Sequence, residues 1–475
     1  MAANIAEITA KVKKAIAARA TETATLAAKY ERYKASATGV PIFTRKVASY
    51  TKVNNMLNAD FVGDVVDTKV GYLVGKPVFV KYTSKAATDD AKKKENDAAA
   101  AVIDNFSRLN NLPDIDAETV KIAAVCGWCG RLLYIDEDGL AAVMIIKPQN
   151  LIATFDQSGR NVVEACRFWS VTEKRVVDNK EVDVVVTRCE YYDKEVVVYL
   201  IQEGADADFV VDPKARADGV TETENLFAPV CPVVVAKNND DLLGDCDKVL
   251  TMVDAYDKAV SDFSSEIESF RIAYLLITGA TMEDSELEKV RQTGALKLPN
   301  GAKVEWLTKA FNDTALGNLL AKLEKNIIRF AKSVDFTDSN FYGNLTRMAI
   351  AFKLWNLETK AMTAELKLGT SFRQMWRGVF AAAARKGTKG LDAMNIEFVF
   401  TRNVPINTLE ESQENKNLVG VVSDRTRLGR LSFIKNADDE IEAMKKERDE
   451  KIADGDYSVT ATDGGDGTGD GAAAE

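Results

Sequence analysis

Few residues in this 475-residue chain have types and spacing suited to catalysis or metal binding. The sequence contains no histidine, which excludes Ser-His and Cys-His nucleophiles, histidine-ligated zinc and histidine acid–base catalysis. Of the six cysteines, only Cys126 and Cys129 are close together, with the Cys-x-x-Cys spacing of a redox centre or half a zinc site. No second Cys-x-x-Cys completes a four-thiolate site. The spacing therefore favours two small buried thiols at the end of a helix, in a reducing compartment.

Other signatures of nucleotide or metal chemistry also fail. No G-x-x-x-x-G-K-[ST] motif occurs, which argues against a P-loop ATPase. The acidic run from Asn238 to Asp247 lacks the spacing of a calcium loop, and it predicts a helix N-terminal cap with solvated carboxylates. Asp136 to Gly139 predicts a hairpin turn in which Gly139 has a positive φ angle. We therefore expect no catalytic residues, no metal and no cofactor, and the chain is not expected to be an enzyme.

The composition is that of an ordinary soluble protein of two or three domains, with 46% hydrophobic and 28% charged residues and a formal net charge of -10. No apolar run approaches the roughly 18 residues that a membrane-spanning helix needs. The N-terminus is rich in alanine and lysine and lacks the apolar core of a signal peptide, so it predicts an amphipathic helix. We expect a chain that stays in the cytoplasm where it is made, without contact with a membrane.

The predicted helices and strands of the chain form an α+β pattern. The first 37 residues or so are helical by composition, and a helical stretch lies near Met56 to Tyr72. From Pro41 to about Ala236, short β-rich runs alternate with turns, which predicts an antiparallel meander rather than a Rossmann unit. The predicted strands are Val78 to Tyr82, Leu132 to Ile135, Val143 to Ile146, Cys166 to Val171, Val182 to Arg188 and Val196 to Ile201.

Long helices dominate the next part of the chain. Apolar residues from Val249 to Phe270 recur at helical spacing, giving a helix of about 24 residues, or roughly 36 Å. A small insert follows, with a strand at 273–277 and a short helix near 283–292. Two further strands, 295–298 and 304–307, are joined through the hairpin signal Pro299-Asn300-Gly301. A second helix, Leu316 to Val334, returns from the insert. A third of about 40 residues runs from Thr346 to Arg385, and the polar, aromatic segment Ser333 to Leu345 lies between the two.

This segment resembles the tunnel loop of the portal proteins of tailed double-stranded DNA phages, in the branch found in long-tailed phages. Three further stretches are similar to the same family, and they occur in the family's order along residues 40 to 450. They are Asn54-Asn55 with Val65 to Tyr72 and Gly75-Lys76-Pro77; Lys237-Asn238-Asn239 with Asp254 to Asp257 and Ser261-Asp262; and Gly420 to Ser423 with the acidic helix Asp438 to Glu450. The sequence departs from the family pattern in its alanine-rich N-terminus and at Leu345-Thr346-Arg347.

The resemblance implies the phage portal fold, with an antiparallel β-rich wing, long stem helices, a small α/β clip, a tunnel loop and a helical crown, in a ring-forming subunit. The implied divisions are 1–40, N-terminal helical segment; 41–240, first part of the wing; 241–270, stem helix; 271–313, clip; 314–334, second stem helix; 335–346, tunnel loop; 347–390, long helix; 391–454, end of the wing and crown; and 455–475, a disordered acidic tail.

The resemblance also implies a function. Twelve copies would form the channel at one capsid vertex of the virion, through which a separate terminase motor packages DNA and from which DNA is ejected. The implied partners are other copies of the chain, the terminase, the major capsid and scaffolding proteins, a head–tail adaptor and double-stranded DNA, held transiently and without sequence preference. The alternative is a non-enzymatic helical scaffold or oligomeric interaction protein.

Candidate DNA-facing residues follow from the same resemblance. In the tunnel loop they are Asp338, Ser339, Asn340, Phe341, Tyr342, Gly343 and Asn344; for Phe341 and Tyr342 the alternative is packing between subunits. Arg373, Arg377, Arg385, Lys386 and Lys389 make a basic region at the end of the third helix. Arg373, Arg377 and Lys386 are the candidate phosphate contacts, against the alternative of a solvated face or salt bridges between subunits. The negative net charge suits a conduit, because each phosphate neutralised by a cation would strengthen binding and hold the duplex still.

Overall fold

The structure, a computed structural model, describes residues 4–46, 53–177, 180–204, 207–270, 274–278, 303–307, 313–336, 347–404, 408–431, 434 and 437–453. The chain divides into two compact units, Met1–Asn403 and Val404–Glu475. The predicted acidic tail, 455–475, lies outside the described residues.

Seven helices are described in the first unit. They are α1 (Ile5–Tyr33), α2 (Phe61–Val74), α3 (Asp89–Leu109), α4 (Leu112–Cys126), α5 (Leu250–Phe270), α6 (Asp313–Phe330) and α7 (Arg347–Arg385). The first three begin at residues whose side chains accept a hydrogen bond from a backbone N–H of the first turn: Asn4, Asp60 and Thr88. Such caps satisfy donors that the helix itself leaves unpaired.

The strands form antiparallel sheets throughout the described part of the chain. They are β1 (Phe79–Tyr82), β2 (Trp128–Ile135), β3 (Ala141–Ile146), β4 (Leu151–Phe155), β5 (Val162–Val177), β6 (Lys180–Tyr192), β7 (Val196–Glu203), β8 (Val210–Val211), β9 (Glu222–Glu224), β10 (Val233–Lys237), β11 (Tyr274–Thr278), β12 (Lys303–Leu307) and β13 (Ile396–Val399). One sheet has the order β10-β2-β3, and a second has the order β4-β5-β6-β7-β8, with β9 beside β7. Two-stranded sheets pair β1 with β13 and β11 with β12.

The sequence predicted the α+β class and the antiparallel strands correctly. The six predicted strands lie within β1, β2, β3, β5, β6 and β7, apart from a single residue, Val78, and Gly139 has the expected positive φ of 73°. The prediction of β-rich runs and turns from Pro41 to about Ala236 was wrong for 89–126, where α3 and α4 lie. Thr88 as a cap and the alanine and lysine content of α3 favour a helix there.

A large apolar core joins the sheet β10-β2-β3 to the second half of α7. Met375, Trp376 and Phe380 of that helix are buried against Leu133 of β2 and Val234 of β10. The Trp376 ring also meets Phe106 of α3 edge to face, with 5.3 Å between ring centroids. This packing fixes the direction of α7 relative to the strands.

The second unit is helical where it is described. It contains α8 (Thr408–Asn417), α9 (Asp424–Leu428) and α10 (Ala437–Ala453). Ser423 caps α9, and Arg425 of α9 forms a salt bridge of 2.8 Å with Asp438 of α10. The predicted acidic helix 438–450 is therefore confirmed as a helix.

Candidate subunit interface and DNA-channel residues

The seven predicted tunnel-loop residues, Asp338 to Asn344, lie outside the described residues. The structure describes what precedes and follows them. At the end of α6, Lys332 takes a left-handed conformation (φ 53°), and the Ser333 N–H donates to the Ile328 carbonyl at 3.0 Å. This closing turn ends the helix by satisfying a terminal carbonyl. After residues 337–346, α7 begins at Arg347 and continues for 39 residues, close to the predicted length of about 40.

Helices α5 and α6 pack side by side. Val249 and Val253 near the start of α5 are buried with Ile327 of α6 and with Ala331, just after its end. Between the two helices in sequence, β11 and β12 pair with Tyr274 opposite Leu307 and Thr278 opposite Lys303. The predicted strands 273–277 and 304–307 are thus correct to within one residue. The predicted helix 283–292, the strand 295–298 and the turn at Asn300-Gly301 lie outside the described residues, and the described partner of 304–307 is β11.

The extended segment before α2 is held along α5 by its backbone. The N–H groups of Asn55, Leu57 and Ala59 donate to Ser265 Oγ (2.9 Å), Ser261 Oγ (2.9 Å) and Asp257 Oδ1 (2.8 Å). Two extended residues advance about 6.6 Å, and four helical residues advance about 6.0 Å. Alternate backbone amides therefore meet every fourth residue of the helix. Two of the motif stretches noted in the sequence are brought together by these contacts.

A buried ionic cluster fixes α2, α6 and α7 to one another. The Lys69 ammonium of α2 donates to Asn238 at 2.5 Å and lies 3.2 Å from Asp245. Lys360 of α7 lies 3.1 Å from the same carboxylate and donates to the Ala331 carbonyl at 2.7 Å. Lys69 and Asp245 are almost completely buried. The prediction of solvated carboxylates is therefore wrong for Asp245, since two lysines from distant parts of the chain enclose it.

The cluster carries two ammonium groups for one carboxylate. Burial alone would raise the pKa of Asp245, but Lys69 and Lys360 hold it below its usual range. Burial lowers the pKa of Lys69, and Lys360 beside it adds to that effect, whereas Asp245 opposes it. The carboxylate is thus the group on which the pairing of both lysines depends.

The first half of α7 exposes a row of large apolar side chains. We call Met348, Phe352, Trp355, Met362 and Leu366 the outer stripe; each is more than half exposed. Their spacing places them on one side of the helix. The charged residues of this half point elsewhere: Glu358 accepts from Arg402 at 2.9 Å, and Lys367 donates to Asp240 at 2.6 Å.

Comparison with known proteins identifies the family. The family model described as "Phage portal protein, SPP1 Gp6-like" matches residues 12–454. The chain belongs to the phage portal protein family. The portal protein of Bacillus phage SPP1 is 22% identical over 406 residues, covering 84% of this chain and 77% of that protein. The portal protein of Clostridium phage phiCD119 is 24% identical over 227 residues, covering 46% of this chain and 48% of that protein.

Both relatives are named as portal proteins, and neither name describes an enzyme. Within the described residues, no group of three or more acidic or cysteine side chains is placed to hold a metal ion. No described helix is both long and apolar enough to cross a membrane.

The basic residues of this portal chain lie at the far end of α7. Arg373 lies over the Phe398 ring, 5.8 Å from its centroid, and Arg377 is exposed and lines a small cavity of about 150 Å³. Lys386 donates to the Gly139 carbonyl, and Arg385 forms a salt bridge of 2.8 Å with Glu224. Arg385 and Lys386 thus have partners within their own chain.

The six cysteines are all buried and unpaired by disulfides. Cys126 is the last residue of α4 and Cys129 lies in β2, which confirms the prediction of buried thiols at a helix end. Burial raises the pKa of both thiols to about 12. Because the thiolate is the reactive form, these are inert packing residues.

Sequence reasoning missed the outer stripe and the ionic cluster. The sequence of α7 did indicate the stripe, because the helix also carries a second apolar row, which includes the buried residues Leu357 and Leu368. A helix with two apolar rows has more apolar surface than one contact can bury. The cluster had no such signal, since Lys69 and Asp245 are 176 residues apart.

Proposed function

We propose that this chain is the subunit of a ring at one capsid vertex through which DNA is packaged and later ejected. The match of the portal family model over residues 12–454 carries the proposal. The geometry agrees with it: α5 and α6 pack together, β11 and β12 lie between them in sequence, and the long α7 starts just after residues 337–346.

The proposed layout follows the predicted divisions. Residues 41–240 form the first part of the wing, and α5 and α6 form the stem, with the clip between them at 271–313. Residues 335–346 form the tunnel loop, 347–390 the long helix, and 391–454 the end of the wing and the crown. The buried contacts of Lys360 with Asp245 and Ala331 support this layout, because they join both stem segments to the long helix, and Lys69 joins the wing to the same carboxylate.

The tunnel-loop residues Asp338 to Asn344 are the proposed DNA-facing group, with Arg373, Arg377 and Lys386 as further candidate contacts. Transient contact fits the charge of the chain, which is -10 overall. A wall that bound many phosphates would release many counterions and hold the duplex tightly. Arg385 is paired with Glu224 of the same chain, which further limits the cations available to DNA.

The proposed partners are further copies of the chain in a twelve-fold ring, a terminase motor, the major capsid and scaffolding proteins, and a head–tail adaptor. The proposed location is the portal vertex of the virion, with assembly in the host cytoplasm. The names of the two relatives, both portal proteins of phages, support this assignment.

Replacing Asn340 to Asn344 by a Gly-Ser linker of equal length tests the proposal. We expect rings of normal size, because the packed helices and sheets are untouched, but a lower yield of DNA-filled heads. The matched control replaces residues 216–220, an exposed segment of the same length, and should package normally. Normal packaging by the loop variant, or loss of its rings, would contradict the proposed role of the loop.

A further inference from the structure

We infer that the outer stripe of α7 is the surface that binds a second copy of this chain, which docks there through the exposed apolar residues of its α6. This inference rests on the proposed ring and assigns the surfaces that build it. The stripe consists of Met348, Phe352, Trp355, Met362 and Leu366, which are 53–71% exposed.

The size of the stripe is that of half an interface. At about 200 Å² for a large side chain, these exposed fractions leave roughly 600 Å² of apolar surface in one row. That is the upper end of the largest patch on an ordinary monomer, about 300–600 Å². It also approaches the roughly 800 Å² that each partner contributes to a stable protein interface.

The charges of α7 identify the class of occupant. Between residues 348 and 370, all of them described, the exposed positions carry no Asp, Glu, Lys or Arg. Glu358, Glu365 and Lys367 of this half are instead paired with Arg402 or Asp240 of the same chain. DNA would need cations on this face, and a helix that lies on a membrane surface also carries them. The uncharged face fits the apolar surface of another protein.

The chain's own acidic tail does not suit the stripe. From Ser458 to Glu475 its sequence contains no large apolar residue except Val459, and it is rich in Gly, Asp and Ala. Such a segment has too little apolar surface to cover five large side chains. The remaining occupant of matching chemistry is a second copy.

A closed ring of identical subunits needs two different surfaces that fit each other, because its interfaces are head to tail. Among the described helices, α6 is the other one that exposes two large apolar side chains, Leu319 and Phe330. These residues are eleven positions apart, which is about three turns and places them on the same side. Ile327 lies roughly 60–80° around the helix from these two residues by helix geometry, and it is buried against α5. Leu319 and Phe330 therefore extend the apolar side of α6 beyond its contact with α5, and this exposed part is the complementary surface.

Two double variants test this assignment. Phe352→Glu/Leu366→Glu removes the stripe, and Leu319→Glu/Phe330→Glu removes the α6 side, with all four changes at exposed positions. We expect each variant alone to be a folded monomer by mass photometry and circular dichroism. A control, Val220→Glu/Leu226→Glu, places the same charges at exposed loop positions and should assemble like the unmodified chain.

Mixing the two variants gives the decisive result. Each retains one intact surface, so a 1:1 mixture should form heterodimers that stop at two copies. Rings from either variant alone, or a mixture that remains monomeric, would overturn the inference while leaving the proposed function standing. An unmodified chain that forms no rings would overturn the proposed function itself. A double variant that is unfolded is replaced by its single substitutions, Leu366→Glu and Leu319→Glu, to which the same outcomes apply.

Discussion

The two halves of α7 differ in where their largest apolar side chains lie. In the second half, Trp376 and Phe380 are buried against the sheet β10-β2-β3, and the charged Arg377 is exposed. In the first half, Trp355 and Leu366 face solvent, and Glu358, Lys360 and Lys367 are paired with Arg402, Asp245 and Asp240 of the same chain.

The difference shows how each half is held. The second half is fixed by apolar burial, which is worth roughly 1.5–3 kcal/mol for a large side chain. The first half buries Leu357 and Ala361 but relies also on ionic contacts, in which Lys360 meets Asp245 and Glu358 meets Arg402. Its largest apolar groups remain available to another subunit.

Substituting the two tryptophans of α7 should give the largest contrast. Trp376→Ala should lower the free energy of unfolding by about 4–5 kcal/mol, because it leaves a cavity in a packed core. Trp355→Ala should change it by less than about 0.5 kcal/mol. Urea unfolding of both in the Phe352→Glu/Leu366→Glu background measures the subunit without assembly. Equal losses would contradict the contrast between the halves.

Removing the central carboxylate should have the next largest effect. Asp245→Ala leaves the buried Lys69 ammonium without a counter-charge, and we expect a loss of about 3–4 kcal/mol. Asp240→Ala breaks only the exposed pair with Lys367 and should cost less than about 1 kcal/mol. Urea unfolding checks both.

A charge-balanced double variant serves as the check on this interpretation. Lys69→Met/Asp245→Asn should lose clearly less stability than the sum of its single substitutions, because it removes a buried charge of each sign. A strictly additive result would show that the two groups do not act as a pair.

The smallest predicted effect concerns pH. Hydrogen bonds from Arg402 hold the pKa of Glu358 below its usual value of 4.5. The stability that this pair contributes is therefore complete above pH 4.5 and is lost as the pH falls through the lowered pKa. Glu358→Gln should cost about 1–2 kcal/mol at pH 7, and the difference should shrink at pH 3.5. Urea unfolding at pH 7, 5 and 3.5 tests this, with Trp376→Ala as the control whose effect does not follow the titration of Glu358.

The sequence predicted the long helices and most strands because their signals are local. Apolar spacing located α5, α6 and α7 to within a few residues, and Asp136 to Gly139 indicated its hairpin turn. The misassignment of α3 and α4 came from extending a β-rich interpretation across a segment with clear helical composition.

Contacts between distant residues could not be predicted in the same way. Arg131 in β2 is fully buried, where it pairs with Asp116 at 2.6 Å and lies 4.5 Å from the centroid of the Phe372 ring of α7. Nothing in the local pattern of either element indicates this pairing, which depends on how α4, β2 and α7 pack. The ionic cluster around Asp245 escaped prediction for the same reason.

Imaging the purified protein tests the central claim most directly. At micromolar concentration and near-physiological salt, negative-stain class averages should show ring particles with an open axial channel. Monodisperse monomers under these conditions, or closed particles without a channel, would contradict the account.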